Sequence, residues 1–401
     1  MKIKTALCAT ALLSCLVITS ALADADTVTI GVLTDQSGLY ADLSGPGSVE
    51  AARIAAEEAG GKVLGKPIRI LAGDHQNKPD VGAQIARKWF DVDGVDMVID
   101  FPNSGVALAV QEVARSKKKV AMFSTAASMD LSGKACSRTG FQWTYDNYSN
   151  AAGVAKALVE KGLNTWFFIT VDYAFGASLE NEAAKAVRAA GGIVVGSVKH
   201  PLNTPDFSSY LLQAQASKAK VVAFANAGGD AINGVKQAAE FGLVKGGQTV
   251  VTPVMFITDV KSLGLPVAQG LTFVAGYYWD YDDHTRAFAK KFFERRNAMP
   301  TMAQAGVYSG VGHYLKAIAA AGTIDADSVA TKMRELPVRD GFTQTGKVRT
   351  DGRMIHDMYL VEVKKTEESK EPWDFYKILS VIPAEKAFKP LAESDCPLVK
   401  K

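Results

Sequence analysis

Apolar runs rich in β-branched residues alternate with alanine-rich amphipathic stretches along this chain, and the whole pattern occurs twice. Strands are expected at residues 28–33, 68–72, 97–100 and 120–123, with helices over 48–59, 80–90 and 106–116 between them. The pattern then restarts. Helices are expected over 147–161, 177–190, 207–217 and 230–241, and strands at 165–170, 193–198, 221–225 and 250–254. Such alternation implies parallel sheets covered by helices, with strands buried on both faces and therefore continuously apolar. The expected fold is α/β, with two successive doubly wound parallel-sheet lobes and no disordered linker. Three helical stretches (285–298, 302–321 and 326–335) and a β-rich tail (357–363 and 375–382) follow.

The first residues stand apart. Lys2 and Lys4 precede an apolar run over 6–20, and Ala21-Leu22-Ala23 forms a small-residue cleavage pattern. The run is short against the ~20 residues of a membrane-spanning helix, so residues 1–23 read as a secretory signal peptide and the mature chain as periplasmic. Cys8 and Cys15 leave with that segment. Cys136 and Cys396 remain, in a compartment where disulfides form, and one bridge between them is expected; the alternative is two free thiols. Basic and acidic residues nearly balance, 45 against 42, which argues against a nucleic-acid partner.

In open α/β sheets, ligands sit beyond the carboxyl ends of the strands. A glycine-rich loop carrying Tyr40 follows the first strand, but it fits no phosphate-binding motif. Asn103 and Ser104 follow the third strand, and Ala126, Ala127 and Ser128 follow the fourth. Both places are expected to start helices, offering hydroxyls and unpaired N–H groups to an anion such as a carboxylate. The bland alternative is that Ser104 and Ser128 cap their own helices. In the second half, Tyr173 and Phe175 follow one strand, and Asn226 and Asp230 bracket glycines after another.

Three segments carry a family resemblance: residues 31–38, Ser124-Thr125-Ala126-Ala127-Ser128, and Asp172-Tyr173-Ala174-Phe175-Gly176. In their order and over essentially the whole mature chain, the sequence resembles leucine/isoleucine/valine-binding periplasmic receptors. The resemblance implies a type I periplasmic binding fold with a three-crossing hinge. Lobe one would span 26–145 plus 277–346 and lobe two 146–276 plus 347–390, with 391–401 as a tail. It also implies solute capture for an inner-membrane ABC permease and ATPase, with the ligand carboxylate on the loops of Ser104 and Ala126 to Ser128, and aromatic residues supplied by Tyr173 and Phe175. No cofactor is expected, and the chain is expected to be a monomer.

Amino-acid binders of that family hold the ligand ammonium with an acid after the strand matching 250–254. This chain has Pro253, Val254, Met255 and Phe256 there. A desolvated ammonium without a paired acid costs several kcal/mol. The expected ligand is therefore a carboxylate without an α-ammonium, an aromatic acid fitting a pocket edged by Trp143, Tyr145, Tyr173 and Phe175. The alternative is that Asp230 or Asp259 replaces the missing acid and the ligand is an amino acid. A sensor docking on a membrane signalling partner would share the same site.

An enzyme finds little support. The five histidines show no metal-ligand spacing. Gly306-Val307-Tyr308-Ser309-Gly310 places its serine one position late for a nucleophile elbow. Asp74-His75 follows a strand, where a surface histidine is the commoner meaning.

Overall fold

The structure is a computed structural model that describes residues 27–400; the expected signal peptide lies outside the described residues. The first body contains β1 (Val28–Thr34), α1 (Gly45–Glu58), β2 (Lys62–Val63), β3 (Lys66–Asp74), α2 (Pro79–Asp91), β4 (Met97–Asp100), α3 (Ser104–Ser116), β5 (Val120–Phe123) and β6 (Gly140–Gln142). These strands form one six-stranded sheet in the order β2-β3-β1-β4-β5-β6. The β1 strand pairs in parallel with β3 and β4, and β4 with β5. Its two faces bury different cores. Val28, Ile30, Val32, Met97 and Ile99 pack with Ala51 and Ile54 of α1. Leu33, Val98 and Phe123 pack with Trp89 of α2 and Val106 of α3. Gly31 and Gly73 make room for the Trp89 ring, because a Cβ at either would lie within 2.8 Å of it.

The second body begins with α4 (Asn147–Glu160), β7 (Thr165–Val171), α5 (Ala174–Ala189) and β8 (Ile193–His200). It continues through α6 (Ser208–Ala216), β9 (Val221–Ala225), α7 (Gly228–Glu240), β10 (Thr249–Val251), α8 (Ile257–Leu263), α9 (Leu265–Ala268) and β11 (Thr272–Ala275). Its parallel sheet has the order β10-β9-β7-β8. The chain then returns to the first body as α10 (Asp283–Arg296), α11 (Met302–Ala321) and α12 (Ala326–Glu335). Arg295 bridges to Glu50 and Glu57 of α1, and Lys291 to Glu58. These pairs are solvent-facing, so each contributes at most about 1 kcal/mol.

The rest of the chain is β12 (Lys347–Val348), β13 (Met354–Ile355), β14 (Met358–Val363), β15 (Tyr376–Ile382) and α13 (Ala384–Ala387). Strands β11, β14 and β15 form an antiparallel sheet beside α4, where Gly153 meets Val274 and Ile382. The fold is the type I periplasmic binding fold: two wound α/β bodies joined by three passages of chain.

Several local expectations need correction. The β3 and β8 strands are not buried on both faces; their burial alternates along the chain. The β8 strand is an edge, and β3 is flanked on its outer side only by the two-residue β2. The strand expected at 250–254 ends at Val251, because Pro253 cannot donate to a ladder. No helix starts at Ser128; residues 129–135 are turns. Cys136 and Cys396 are joined by a disulfide, with their Cα atoms 5.6 Å apart.

Candidate functional site

The loop after β1 is shaped by one carboxylate. Asp35 accepts from the backbone N–H groups of Gly38 (2.8 Å) and Tyr40 (2.9 Å), and from the side-chain amide of Asn77 (2.6 Å). This local turn projects the Tyr40 side chain toward the second body, where its hydroxyl lies 2.7 Å from that of Tyr173. Tyr173 stands at the start of α5 in extended conformation, and Phe175 in its first turn packs 5.9 Å from the Tyr173 ring.

These residues enclose a small cavity. The first body contributes Tyr40, Thr125 and Tyr145; the second contributes Tyr173, Phe175, Ala227, Val254 and Phe256. For the centre of a water-sized sphere its volume is about 10 Å³, room for one water and not for a six-membered ring. The lining residues include no charged side chain. Burial pushes the hydroxyls of Tyr40, Tyr145 and Tyr173 well above the ordinary phenol range, so all three remain neutral hydrogen-bonding groups.

Pro102 and Thr125, which follow β4 and β5, also line the cavity, whereas the expected Ser104, Ala126, Ala127 and Ser128 do not; they lie further along the same two segments. The carbonyls of Ala126 and Ser128 both accept from Gln142 Nε2 at 3.1 Å, and Asn147 N donates to the Ala127 carbonyl at 2.9 Å. The N–H groups of Ala126 and Ala127 have no acceptor among the described residues, although both residues are buried. Buried amide hydrogens are almost always paired in folded proteins. Two vacant ones side by side form a ready donor pair. Ser104 Oγ accepts from Ser128 N at 3.3 Å, which joins the two loops. Ser128 also lines a wider groove of about 400 Å³ between its own turn and α5.

At the end of β4, Asp100 is fully buried and accepts from Thr125 Oγ1 and, at 3.2 Å, from Ser124 Oγ. Burial raises its pKa. Asp100 and Phe101 both hold positive φ, 101° and 65°, a conformation that side chains with a Cβ rarely adopt.

Other expected site residues are engaged elsewhere. Asn103 caps α3, accepting from Gly105 N and Val106 N, so its oxygen is already used. Trp143 does not edge the cavity; its indole N–H donates to Ser309 Oγ at 3.0 Å inside the first body. Asp230 accepts from the N–H groups of Asn203 and Thr204 and holds that loop. Asn226 Oδ1 lies 2.8 Å from His200 Nε2, while its amide nitrogen is buried without a partner. Asp259 is buried and accepts from Phe256 N. Neither Asp230 nor Asp259 lines the cavity.

Phe256, Thr125 and Ala227 were missing from the expected site. Phe256 was visible as part of the acid-free segment after β10, but nothing in the sequence showed that its ring turns into the cleft and meets Tyr145 edge-on.

Residues 27–368 match the periplasmic binding protein family. The chain belongs to that family. A periplasmic binding protein of known structure from Burkholderia mallei is 46% identical, with a TM-score of 0.92 over 94% of this chain and 100% of that one. A branched chain amino acid ABC transporter periplasmic ligand-binding protein from Burkholderia xenovorans LB400 is 44% identical, with a TM-score of 0.83 over 93% and 100%. A solute binding protein from R. palustris, solved in complex with benzoate, shares the fold at 20% identity, with a TM-score of 0.83 over 93% and 100%. This periplasmic binding protein is thus a solute receptor of the ABC-transporter type. No described helix is long and apolar enough to cross a membrane, and no described group of His, Cys, Asp or Glu is arranged to hold a metal.

Proposed function

We propose that this receptor captures a small aromatic carboxylate lacking an α-ammonium, closes over it without chemistry, and delivers it to an inner-membrane permease and ATPase. One observation carries the reading: the cavity is walled by aromatic rings and bears no acid, and Thr125 on its wall leads directly into Ala126 and Ala127, whose N–H groups have no acceptor among the described residues. The carboxylate takes the Ala126 and Ala127 N–H groups and the hydroxyls of Ser104 and Ser128. A hydrogen bond to a charged group contributes roughly 1.5–3 kcal/mol. The ring lies among Tyr40, Tyr145, Tyr173, Phe175 and Phe256. Asn226 and Asp230 act from behind, by holding the loops of the second lobe.

The space between the rings is too small for such a ligand, so the lobes part to admit it and close again. They are bounded as 26–145 plus 277–346, and 146–276 plus 347–390. The benzoate-bound R. palustris receptor supports the aromatic reading. The name of the Burkholderia xenovorans relative favours a second reading, a branched-chain amino acid. Titration calorimetry with 4-hydroxybenzoate and with leucine separates the two. Saturable binding of 4-hydroxybenzoate and none of leucine is expected; tight leucine binding overturns the first reading.

A further inference from the structure

We propose that Arg353 and His356 are positioning residues that grip the first passage between the lobes and so set both the hinge and the Tyr145 ring. Only the affinity arm of the test below rests on the ligand reading above.

The first passage, residues 143–146, leaves β6 and enters α4. Three consecutive carbonyls in it are held by the segment that follows the third passage. Arg353 Nη2 donates to Trp143 O (2.6 Å) and Nη1 to Tyr145 O (2.8 Å), while Nε donates to Met354 O (3.0 Å). His356 Nε2 lies 2.6 Å from Thr144 O. The second passage meets them at the same point. A Cβ on Gly276 would lie 3.3 Å from Thr144 O and 3.4 Å from the His356 ring, so the chain crosses close against both. The first and second connections therefore meet the segment that follows the third at Thr144 and His356.

Arg353 is 1% exposed, yet its nearest carboxylate, on Asp146, lies 3.7 Å away, and its guanidinium sits over the Phe388 ring. Burial lowers its pKa to about 10, which leaves it a cation at neutral pH. A buried cation is an expensive way to fill space, since apolar side chains of similar volume do so equally well or better. Its use here is geometric: a planar fork donates to two carbonyls two residues apart, those of Trp143 and Tyr145. Tyr145, between those carbonyls and the cavity, is aimed by them.

His356 makes a second close approach, Nδ1 to Asp357 O at 2.8 Å. Burial, with the adjacent Arg353 charge, keeps the ring neutral at about pKa 4. Both neighbours are carbonyl oxygens that only accept, and the closer, Thr144 O, faces Nε2. A glutamine can supply a donor to that oxygen, and a leucine cannot.

The test uses the full mature chain with nitroxide labels on Lys62→Cys and Lys245→Cys, exposed positions on the two bodies; the native cysteines are bridged. Pulsed electron spin resonance then reads the distance between lobes without ligand. Arg353→Lys and His356→Leu are expected to broaden and lengthen that distribution, and His356→Gln to restore it. Calorimetry with 4-hydroxybenzoate is expected to show affinity reduced about tenfold in the first two, because a buried carbonyl loses its donor, and near wild type in the third. If His356→Leu leaves the distances unchanged, or if His356→Gln fails to restore them, the clamp is refuted. Should Arg353→Lys not fold, the two His356 variants decide alone. If the wild type ignores 4-hydroxybenzoate, the ligand reading fails while the distances still judge the clamp.

Discussion

The hydroxyls of Tyr40 and Tyr173 meet at 2.7 Å across the cleft, one from the loop after the first strand and one from the start of α5. Two further hydrogen bonds join the same faces, Gly229 N to Leu39 O at 3.4 Å and Met129 N to Ser178 Oγ at 3.2 Å. A typical intramolecular hydrogen bond nets about 1 kcal/mol, so closure by such contacts is readily reversed. Tyr173→Phe removes one of them without changing the ring. In ligand-free solution it is expected to shift the population toward the open form several-fold, read as a larger radius of gyration in small-angle scattering. An unchanged radius would mean that the tyrosine pair does not hold the lobes together.

Closure also needs a residue without a side chain. Gly228 has a φ of 56°, and a Cβ there would lie 2.9 Å from the Tyr40 ring and 3.0 Å from Leu39 O. Gly228→Ala therefore obstructs the closed form more than the open one. Ligand affinity is expected to fall at least about tenfold, while the ligand-free stability falls only by the strain of one left-handed residue, about 1–2 kcal/mol. Equal losses of affinity and stability would point to simple misfolding of α7.

The disulfide between Cys136 and Cys396 closes a loop over a sequence separation of 260. By chain entropy a loop of that length stabilises a fold by about 5–6 kcal/mol at most. Cys396→Ser is expected to lower the urea midpoint by up to that equivalent, and a reductant to do so in the wild type but not in the variant. Indifference of the wild type to reductant would contradict this.

Asp259 gives a pH signature. Burial raises its pKa to about 7 from the usual 3.8, so folding takes up a proton between those values. Its contribution is complete below about pH 4 and is lost as pH rises through 7, to a limit of about 4 kcal/mol. Asp259→Asn can still accept from Phe256 N but cannot ionise. The variant is expected to match the wild type near pH 4 and exceed it at pH 8 in chemical denaturation. A constant difference across that range would rule out a buried titrating carboxyl.

Strands Met97–Asp100, Val120–Phe123 and Val221–Ala225, and helices Met302–Ala321 and Ala326–Glu335, lie where their sequence patterns put them. Unbroken apolar runs and clear helical periodicity mark their limits. Gly140–Gln142 and Thr272–Ala275 carry no such mark, being three- and four-residue strands whose pairing depends on partners far along the chain. The same division holds at the site. Tyr40, Tyr173 and Phe175 stand out in the sequence because they lie shortly after strands. The place of Trp143 is not legible, because the helix that receives it, Met302–Ala321, lies far away in sequence. The partners of Asp230 are backbone N–H groups, which leave no trace in a sequence.

Mass spectrometry of small molecules released from receptor purified out of its own periplasm would question the account most directly. The expected find is a ring-bearing acid without an amino group next to its carboxyl. Recovery of leucine, isoleucine or valine in stoichiometric amount would contradict it.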